Sequence, residues 1–420
     1  MPAILSPKSP ARWRPPVIAA VVSGALLGAG WMGWAAWRSS DLSARAGAAA
    51  GRGDWVRAGV LLERLAWYRP DDLGVLNMRV QAALGRGDAV AAAVLLARVP
   101  ASAPGAVEAR LTQGRLLMEA FRPRAAEAAF RDCLRLDPRA DEARLALIAI
   151  LAVQGRGRDY DAEAWALFEK GGEPIKALRL LAQSSPAIPP DTFTRTADLG
   201  DVLRRCLDAD PDDPNTRLAV ARFERKRGRT DDALRVLEPC LRTRPVDPEA
   251  TLEWAACLLD EGEHDPLHAL FEHPEESMKG RASFWSLRGE WARRTGRNSE
   301  ALDNHREAVR LDPRSPDARY RLGLALGDAG PEAARCREVA RQARELKDLV
   351  AHISDRSRDT VRFNRVGRLC AEMGRTRETR AWFALSLRVD PNDAEARAGY
   401  DALGPRQAPG RGGADGTPSR

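Results

Sequence analysis

The chain has 420 residues, of which 44% are hydrophobic and 30% are charged, and its formal net charge is +7. Most of the excess positive charge lies at the ends, because residues 1–54 carry six basic against two acidic residues and residues 405–420 carry three against one. The long middle of the chain is therefore nearly neutral, which argues against a nucleic-acid-binding surface.

Residues 1–14 form a short basic segment that contains several prolines. They precede a run without a charged residue, Pro15 to Trp37, which Arg14 and Arg38 bracket. A run of this length can span a hydrocarbon core of about 30 Å. Residues 15–38 are therefore predicted to form a single transmembrane signal-anchor helix. A cleaved signal peptide is the alternative, since the Ala-Arg-Ala sequence at Ala44–Ala46 offers a cleavage site.

Four tryptophans flank or end this run and are expected at the membrane interfaces, where indole rings prefer to lie: Trp13, Trp31, Trp34 and Trp37. Basic groups are slightly more concentrated before the run than after it. This bias predicts a single-pass protein of the cell (inner) membrane, with the rest of the chain on the extracytoplasmic side. Gly24 and Gly28 form a GxxxG pair, which would permit a homodimer through this helix.

From Asp41 onward the sequence predicts short helices in pairs. DLSARAGAAA is followed by GRGD and then by WVRAGVLLERLAWYRP, and NMRVQAALGRGDAVAAAVLLARVP repeats the pattern. Glycine supplies the backbone conformation that a tight turn requires, and aspartate can cap the following helix. The GRGD sequences at Gly51–Asp54 and Gly85–Asp88 therefore predict inter-helix turns, and a cell-adhesion motif is the less favoured interpretation.

The clearest unit is the stretch Ala106–Pro138. Gly114 and Ala126 are small enough to let two helices approach, Phe130 fills the space beside them, and Pro138 stops the second helix. Prolines recur at a fixed period, or at twice that period, along the chain: Pro70, Pro104 and Pro138, then Pro211, Pro245 and Pro313.

The period is 34, and a 34-residue period of helix–turn–helix units resembles the tetratricopeptide repeat. Residues that match this family recur in phase in three further units: Trp285, Gly289, Ala301, Ala308 and Pro313; Ala233, Leu237 and Pro245; and Phe363, Gly367, Phe383 and Pro391. The resemblance implies an all-α, right-handed superhelical solenoid of about nine or ten antiparallel helix pairs over residues 41–403.

Departures from the period predict insertions, the first of them around Ser184–Thr192. NDAEARAGYDALG predicts a final helix that caps the solenoid, and the glycine- and proline-rich residues 404–420 predict a disordered tail. Cys133, Cys206 and Cys240 occupy equivalent positions shortly before a closing proline, so they are expected to be buried thiols rather than disulfide partners.

The candidates for chemistry are weak. His264, His268 and His273 lie among acidic residues, but Pro266 falls between the first two, so one helix is not expected to present both to a metal. The sequence contains no Walker-type phosphate loop, no GxSxG elbow and no convincing triad. The repeats also leave no room for a separate catalytic domain. We therefore expect no enzyme activity, no cofactor and no metal.

In the family that the chain resembles, the first helix of each pair lines a concave groove. By register, the candidate groove residues are mostly basic: Arg115, Arg222, Arg225, Lys226, Arg293, Arg294, Tyr320, Asn364 and Arg368. Because guanidinium groups pair with carboxylates, this set favours an acidic peptide as partner. A solvated helix face is the alternative for each arginine, since only six of the 66 basic residues are lysines.

The function that these patterns favour is a membrane-tethered scaffold, in a bacterium, that mediates protein–protein interactions through the groove. The tether would raise the effective concentration of partners near the membrane. Two alternatives stay open. One is a structural auxiliary subunit of a membrane-bound enzyme or envelope assembly complex, and the other is a periplasmic chaperone-like factor.

Overall fold

The computed structural model describes residues 15–182, 198–242, 247–313, 315–327 and 330–404, with side chains described from residue 31 onward. Every regular element in these ranges is a helix, which confirms the all-α prediction. The chain divides into two compact units, Met1–Ala120 and Phe121–Arg420.

The first unit contains five helices, which are α1 (Pro15–Gly51), α2 (Trp55–Tyr68), α3 (Leu73–Gly85), α4 (Ala89–Leu96) and α5 (Ala106–Glu119). Each of them packs against the next in chain order. The core between α1 and α2 consists of leucine and alanine side chains: Leu42, Ala46 and Ala49 against Ala58, Leu61, Leu62 and Leu65. Alanine at these positions lets the two helix backbones approach closely.

Helix α1 runs without a break from the predicted membrane segment into the first repeat. It begins at Pro15 and ends at Gly51, so it passes through the predicted boundary near residue 38. Residues 15–30, the larger part of the predicted transmembrane helix, lie outside the residues whose side chains are described, and so do Gly24 and Gly28. Within the described residues, no helix combines the length and the apolar character that a membrane crossing requires.

The GRGD sequences form the turns inside the first two helix pairs, as predicted. Gly53 and Gly87 have φ angles of 75° and 73°, a left-handed conformation that side chains with a Cβ disfavour. Asp54 and Asp88 each accept a hydrogen bond from the backbone N–H three residues further on, at 3.0 Å and 2.9 Å. Each aspartate therefore caps the helix that follows, and the Arg-Gly-Asp sequence has a structural role here.

Pro104, unlike Pro70 and Pro138, does not stand two residues after a helix. Helix α4 ends at Leu96, and turns fill the intervening residues. The guanidinium group of Arg110 donates hydrogen bonds to the carbonyl oxygens of Leu96, Ala97 and Val99 at 2.7, 3.2 and 2.8 Å. These bonds satisfy carbonyl groups that a helix end leaves without a partner, so this helix can end early.

The second unit contains the remaining described helices. They are α6 (Pro123–Leu136), α7 (Asp141–Val153), α8 (Gly157–Lys170), α9 (Pro174–Ala182), α10 (Leu199–Ala209), α11 (Pro214–Lys226), α12 (Thr230–Arg242), α13 (Pro248–Glu261), α14 (Asp265–Glu272), α15 (Glu276–Lys279), α16 (Ala282–Arg294), α17 (Asn298–Leu311), α18 (Pro316–Leu326), α19 (Pro331–Ala351), α20 (Thr360–Glu372), α21 (Thr376–Val389) and α22 (Ala394–Asp401). The predicted insertion at Ser184–Thr192, Pro245 and the tail from residue 405 lie outside the described residues.

The periodic prolines mark helix ends in both units. Five of them stand two residues after the last residue of a helix: Pro70, Pro138, Pro211, Pro313 and Pro391. This confirms their predicted role, because proline cannot continue a helix. All six cysteines lie in the described ranges, where they are buried and form no disulfide.

Two helix pairs of the second unit pack through a glycine that faces a ring. A Cβ atom on Gly289 would lie 2.6 Å from the ring of His305, and one on Gly367 would lie 2.9 Å from the ring of Phe383. Such distances are too short for a real side chain, so only glycine permits these close contacts of α16 with α17 and of α20 with α21. The predicted wedge residue Phe130 is also fully buried, on α6.

The second unit also closes on itself, because α9 contacts two helices that are far along the chain, α19 and α21. Arg375 donates a hydrogen bond to the carbonyl oxygen of Leu181 at 2.9 Å, and Arg179 forms an ion pair with Asp355 at 2.6 Å. In a simple solenoid each repeat contacts only its neighbours. These contacts therefore add a non-sequential connection to the repeat array.

Candidate functional site

The first helices of successive pairs in the second unit line one cavity of about 880 Å³. Its wall includes residues of α11, α13 and α16, together with the end of α17 and the start of α18. The turn before α8 reaches the same cavity, and Arg222 donates a hydrogen bond to the carbonyl oxygen of Gly155 there at 3.3 Å. The cavity is large enough for a peptide segment or several side chains of a partner.

Two of the predicted groove residues, Arg222 and Arg225, lie in this wall, and both form ion pairs inside the protein. Arg222 contacts Glu249 at 2.7 Å and Glu253 at 3.4 Å. Arg225 contacts Glu253 at 2.6 Å and Asp260 at 2.9 Å. Burial alone would lower the pKa of Arg225, but Glu253 and Asp260 raise it above its ordinary value. These guanidinium groups therefore link α11 to α13.

The charges that line the cavity nearly cancel. They comprise six arginines and seven carboxylates: Arg156, Arg158, Arg222, Arg225, Arg281 and Arg321, with Asp159, Asp161, Asp247, Glu249, Glu253, Asp312 and Asp317. An acidic peptide would meet as many negative charges as positive ones. The expectation of a basic strip is therefore wrong for this cavity, because the sequence register selected the arginines without their acidic neighbours.

Asn364 does not line the cavity. It is buried, with 3% of its surface exposed, and its Nδ2 donates a hydrogen bond to Asp393 at 2.8 Å. Arg368, one turn further along α20, is exposed and forms an ion pair with Glu395. Both residues join α20 to the start of α22. The prediction that Asn364 faces a partner is wrong, since its side chain holds the final helix in place.

The remaining predicted groove residues also lie outside the cavity lining. Arg293 and Arg294 bind Glu290 on their own helix at 2.7 and 2.8 Å. Burial alone would raise the pKa of Glu290, but hydrogen bonds from these two arginines lower it to about 2. Lys226 is exposed at the end of α11, and Arg115 is exposed on α5 of the first unit.

Tyr320 is the exposed aromatic residue of the predicted set. It has 62% of its surface exposed on α18, and Leu324, one turn further on, has 59% exposed. Its neighbours Asp317 and Arg321 line the cavity. Tyr320 and Leu324 therefore present apolar surface on a helix that borders the cavity.

A protein-family model described as "Tetratricopeptide repeat" matches residues 267–404, which run from α14 to α22. This part of the chain therefore matches the tetratricopeptide repeat family. No curated protein matches the sequence.

Several solved structures resemble the chain at low identity. A tetratricopeptide repeat protein from Parabacteroides merdae is 14% identical, with 69% of this chain and 99% of that chain covered and a TM-score of 0.28. The P58(IPK) TPR domain is 17% identical, with 87% and 97% covered and a TM-score of 0.28. Human IFIT1, in a dimer with PPP-AAAA, is 13% identical, with 84% and 77% covered and a TM-score of 0.30. Scores this low carry no argument about function.

Sequence reasoning missed the acidic half of this repeat protein's cavity. Glu249 and Glu253 lie one turn apart on α13, and their distance from Arg222 along the sequence is close to one repeat period. A comparison of successive first helices could therefore have placed these carboxylates opposite the arginines. The sequence contains no such indication of the contact between Arg222 and Gly155, because Gly155 belongs to a helix pair that is not adjacent in the repeat order.

The histidine cluster of the repeat protein packs as part of a helix interface. His264 precedes α14 as its N-cap residue, and the ring of His268 packs edge-on against Trp291 with 5.9 Å between ring centroids. Over the described part of the chain, no group of three or more histidine, cysteine or carboxylate side chains is arranged to hold a metal ion.

Proposed function

We propose that this tetratricopeptide repeat protein is a non-catalytic scaffold that binds segments of partner proteins in the cavity lined by α11, α13, α16 and α18. The observation that carries the proposal is the pairing of an open, charge-balanced cavity with the exposed apolar side chains of Tyr320 and Leu324 on one of its bordering helices. Exposed aromatic side chains beside a concave surface are typical of protein-binding sites.

The chemistry of the cavity favours a partner segment with an apolar anchor and charges of both signs. The apolar anchor would cover Tyr320 and Leu324. Ordering the Tyr320 ring on binding costs little conformational entropy, because its side chain has few rotatable bonds. Charged groups of the partner would meet the paired arginines and carboxylates of the wall. A purely acidic peptide fits this arrangement less well than we expected from the sequence, where the candidate residues were mostly basic.

We further propose that residues 15–38 tether the scaffold to the cell (inner) membrane, with the repeats on the extracytoplasmic side. The support is the charge-free sequence from Pro15 to Trp37, together with the basic residues that flank it. Gly24 and Gly28 would permit a homodimer through the same helix. Fixing the scaffold at the membrane would raise the effective concentration of membrane partners around the cavity.

One observation favours a second candidate, a structural auxiliary subunit of a membrane complex. Five of the six arginines of the cavity wall form ion pairs within the protein, and α9 also contacts α19 and α21. Side chains that are paired within the protein are less available to a partner, which suits a rigid structural subunit whose binding surface lies elsewhere.

Co-purification from solubilised membranes separates these candidates. We would compare the wild type, a Tyr320→Ala/Leu324→Ala double variant and a Val361→Ala control, since Val361 is apolar and 78% exposed but lies on α20, which contributes no residue to the cavity wall. The scaffold proposal expects a stoichiometric partner with the wild type and the control that is lost with the double variant. Retention of the same partner by all three proteins contradicts cavity binding and favours the subunit.

A further inference from the structure

Aromatic side chains from two different helices form a continuous cluster at one end of the first unit. The ring centroids of Trp31 and Trp34 lie 5.3 Å apart on α1, and those of Trp34 and Tyr68 lie 6.0 Å apart between α1 and α2. Trp67 extends the cluster, with 4.9 Å between its centroid and that of Tyr68. Trp67 and Tyr68 belong to the last turn of α2, well beyond the predicted membrane segment in the sequence.

The cluster is exposed rather than packed in a core. Trp31, Trp34, Trp37 and Trp67 are all exposed, and Trp67 has 69% of its surface exposed. Large apolar rings gathered on one surface usually mark a site that something else covers. The described side chains of the first unit leave these four rings uncovered.

The position of the cluster indicates what covers it. Helix α1 is continuous from Pro15 to Gly51, so no linker separates the charge-free run from the tryptophans that α1 contributes to the cluster. Helix α2 turns back along α1, and its end therefore returns to the level at which the charge-free run ends. Indole and phenol side chains have an apolar body and a polar tip, which suits the boundary between lipid tails and water.

Charged residues flank the cluster on both helices. Arg38 lies within 3.4 Å of Asp41 on α1, and Arg69 lies within 3.7 Å of Asp72 just after α2. The long side chains of Arg38 and Arg69 can reach lipid phosphates while their apolar stems lie beside the rings. Because the cluster is continuous along α1 with the charge-free run, its position favours lipid rather than a protein surface as the occupant.

We propose that the aromatic cluster is a docking surface for the lipid headgroup region, in which the end of α2 inserts Trp67 and Tyr68 beside Trp34. This inference rests on the proposed membrane tether and goes beyond it. It makes the first unit stand on the bilayer in a fixed orientation, whereas a simple tether would let the repeats move freely above the membrane.

The test places an environment-sensitive fluorophore on a single introduced thiol in the full chain. A Trp67→Cys variant is labelled with a nitrobenzoxadiazole probe, and labelling is selective because all six native cysteines are buried. The matched control is Val56→Cys, which lies on the same helix and is 67% exposed, but about 16 Å further along the axis. Both proteins are inserted into nanodiscs of phosphatidylcholine and phosphatidylglycerol, with or without doxyl-labelled lipids.

The proposal predicts a blue-shifted probe in the Trp67→Cys variant that doxyl lipids quench several-fold more than the probe in the Val56→Cys control. A water-like, unquenched probe in a chain that stays in the disc overturns the inference and leaves the tether standing. A blue shift without lipid quenching also overturns it, since a protein surface such as a second copy then covers the cluster. Failure of the chain to enter the discs contradicts both the tether and the inference.

Discussion

The guanidinium group of Arg377 stacks on the ring of Trp165, 3.8 Å from its centroid, although the two residues belong to helix pairs that are far apart in the sequence. The same side chain forms an ion pair with Glu169 at 2.9 Å. These contacts join α21 to α8 and lie beside the hydrogen bond from Arg375 to Leu181. The closure of the second unit is therefore made by arginine side chains at the start of α21.

Replacement of Arg377 by alanine is expected to loosen this closure. A cation–π contact and a half-exposed ion pair together contribute on the order of 1 kcal/mol, and the exposed fraction limits the electrostatic part. The Arg377→Ala variant should lose about 1 kcal/mol in the free energy of unfolding measured with urea, and amides of α8 and α21 should exchange faster with deuterium.

The matched control is Arg310→Ala, which removes an exposed arginine whose ion pair with Glu307 stays within α17. Its unfolding free energy should change by less than about 0.5 kcal/mol. Equal effects of the two substitutions, with no local change in exchange at α8, would contradict a role for Arg377 in the closure.

His305 is expected to make stability depend on pH. Burial, together with the nearby Arg321, lowers the pKa of His305, so the folded protein keeps the ring neutral at a pH where the unfolded chain binds a proton. Stability from this group is present above the unfolded pKa of about 6.5 and is lost as the pH falls below it. A His305→Phe variant, with the ring type that Phe383 provides at the equivalent position, should lose less stability between pH 7.5 and 5.5.

Urea unfolding at both pH values checks this prediction as a difference between the two proteins, because other groups titrate equally in both. Gly289 must accommodate the new ring, so the variant is compared with the wild type at pH 7.5 first. An identical loss of stability on acidification in both proteins would rule out His305 as a source of the pH dependence.

Gly296 is expected to be required for the turn before α17. Its φ angle is 79°, and a Cβ atom there would meet nothing within 4 Å, so the effect of a substitution is conformational and not steric. A Gly296→Ala variant should lose about 1–2 kcal/mol in the free energy of unfolding. Gly280 is the control, since it has equal space and a φ angle of −78°. The Gly280→Ala variant should keep its stability, and a similar loss in both would contradict the argument.

Glu253 is expected to stabilise the cavity wall because it is shared by Arg222 and Arg225 and its side chain is only 8% exposed. A Glu253→Gln variant leaves two arginines without their common carboxylate, which should cost about 2–3 kcal/mol in the free energy of unfolding. The control Glu238→Gln removes an exposed carboxylate paired with Arg242 and should change it by less than about 0.5 kcal/mol. Thermal or urea unfolding of both variants decides, and a neutral Glu253→Gln substitution would show that the wall does not depend on this pairing.

The sequence predicted those parts of the fold that depend on local chemistry. Proline stops a helix wherever it stands, and glycine followed by aspartate makes a capped turn, so Pro138 and the turn at Gly53 were predictable. The early end of α4, well before Pro104, was not predictable. It depends on Arg110, which donates hydrogen bonds to carbonyl oxygens at and after the end of α4.

The site was less predictable because it depends on contacts between repeats. The register selected Arg222 and Arg225, which line the cavity, but it did not show that Glu253 forms ion pairs with both. Asn364 has the right register for the groove and is nevertheless buried against Asp393. The closure through Arg377 has no periodic signal at all, since a repeat pattern describes only neighbouring units.

The central claim is that a partner protein occupies the cavity beside α18, and site-specific photo-crosslinking tests it most directly. A benzophenone amino acid would replace Tyr320 in the full chain in membranes, and a second protein would carry it at Arg242, which is exposed on α12, a helix that contributes no residue to the cavity wall. We predict a discrete adduct from position 320, which a Leu324→Glu substitution abolishes, and none from position 242. An adduct from position 242 alone, or from neither position, would contradict the claim that this cavity binds the partner.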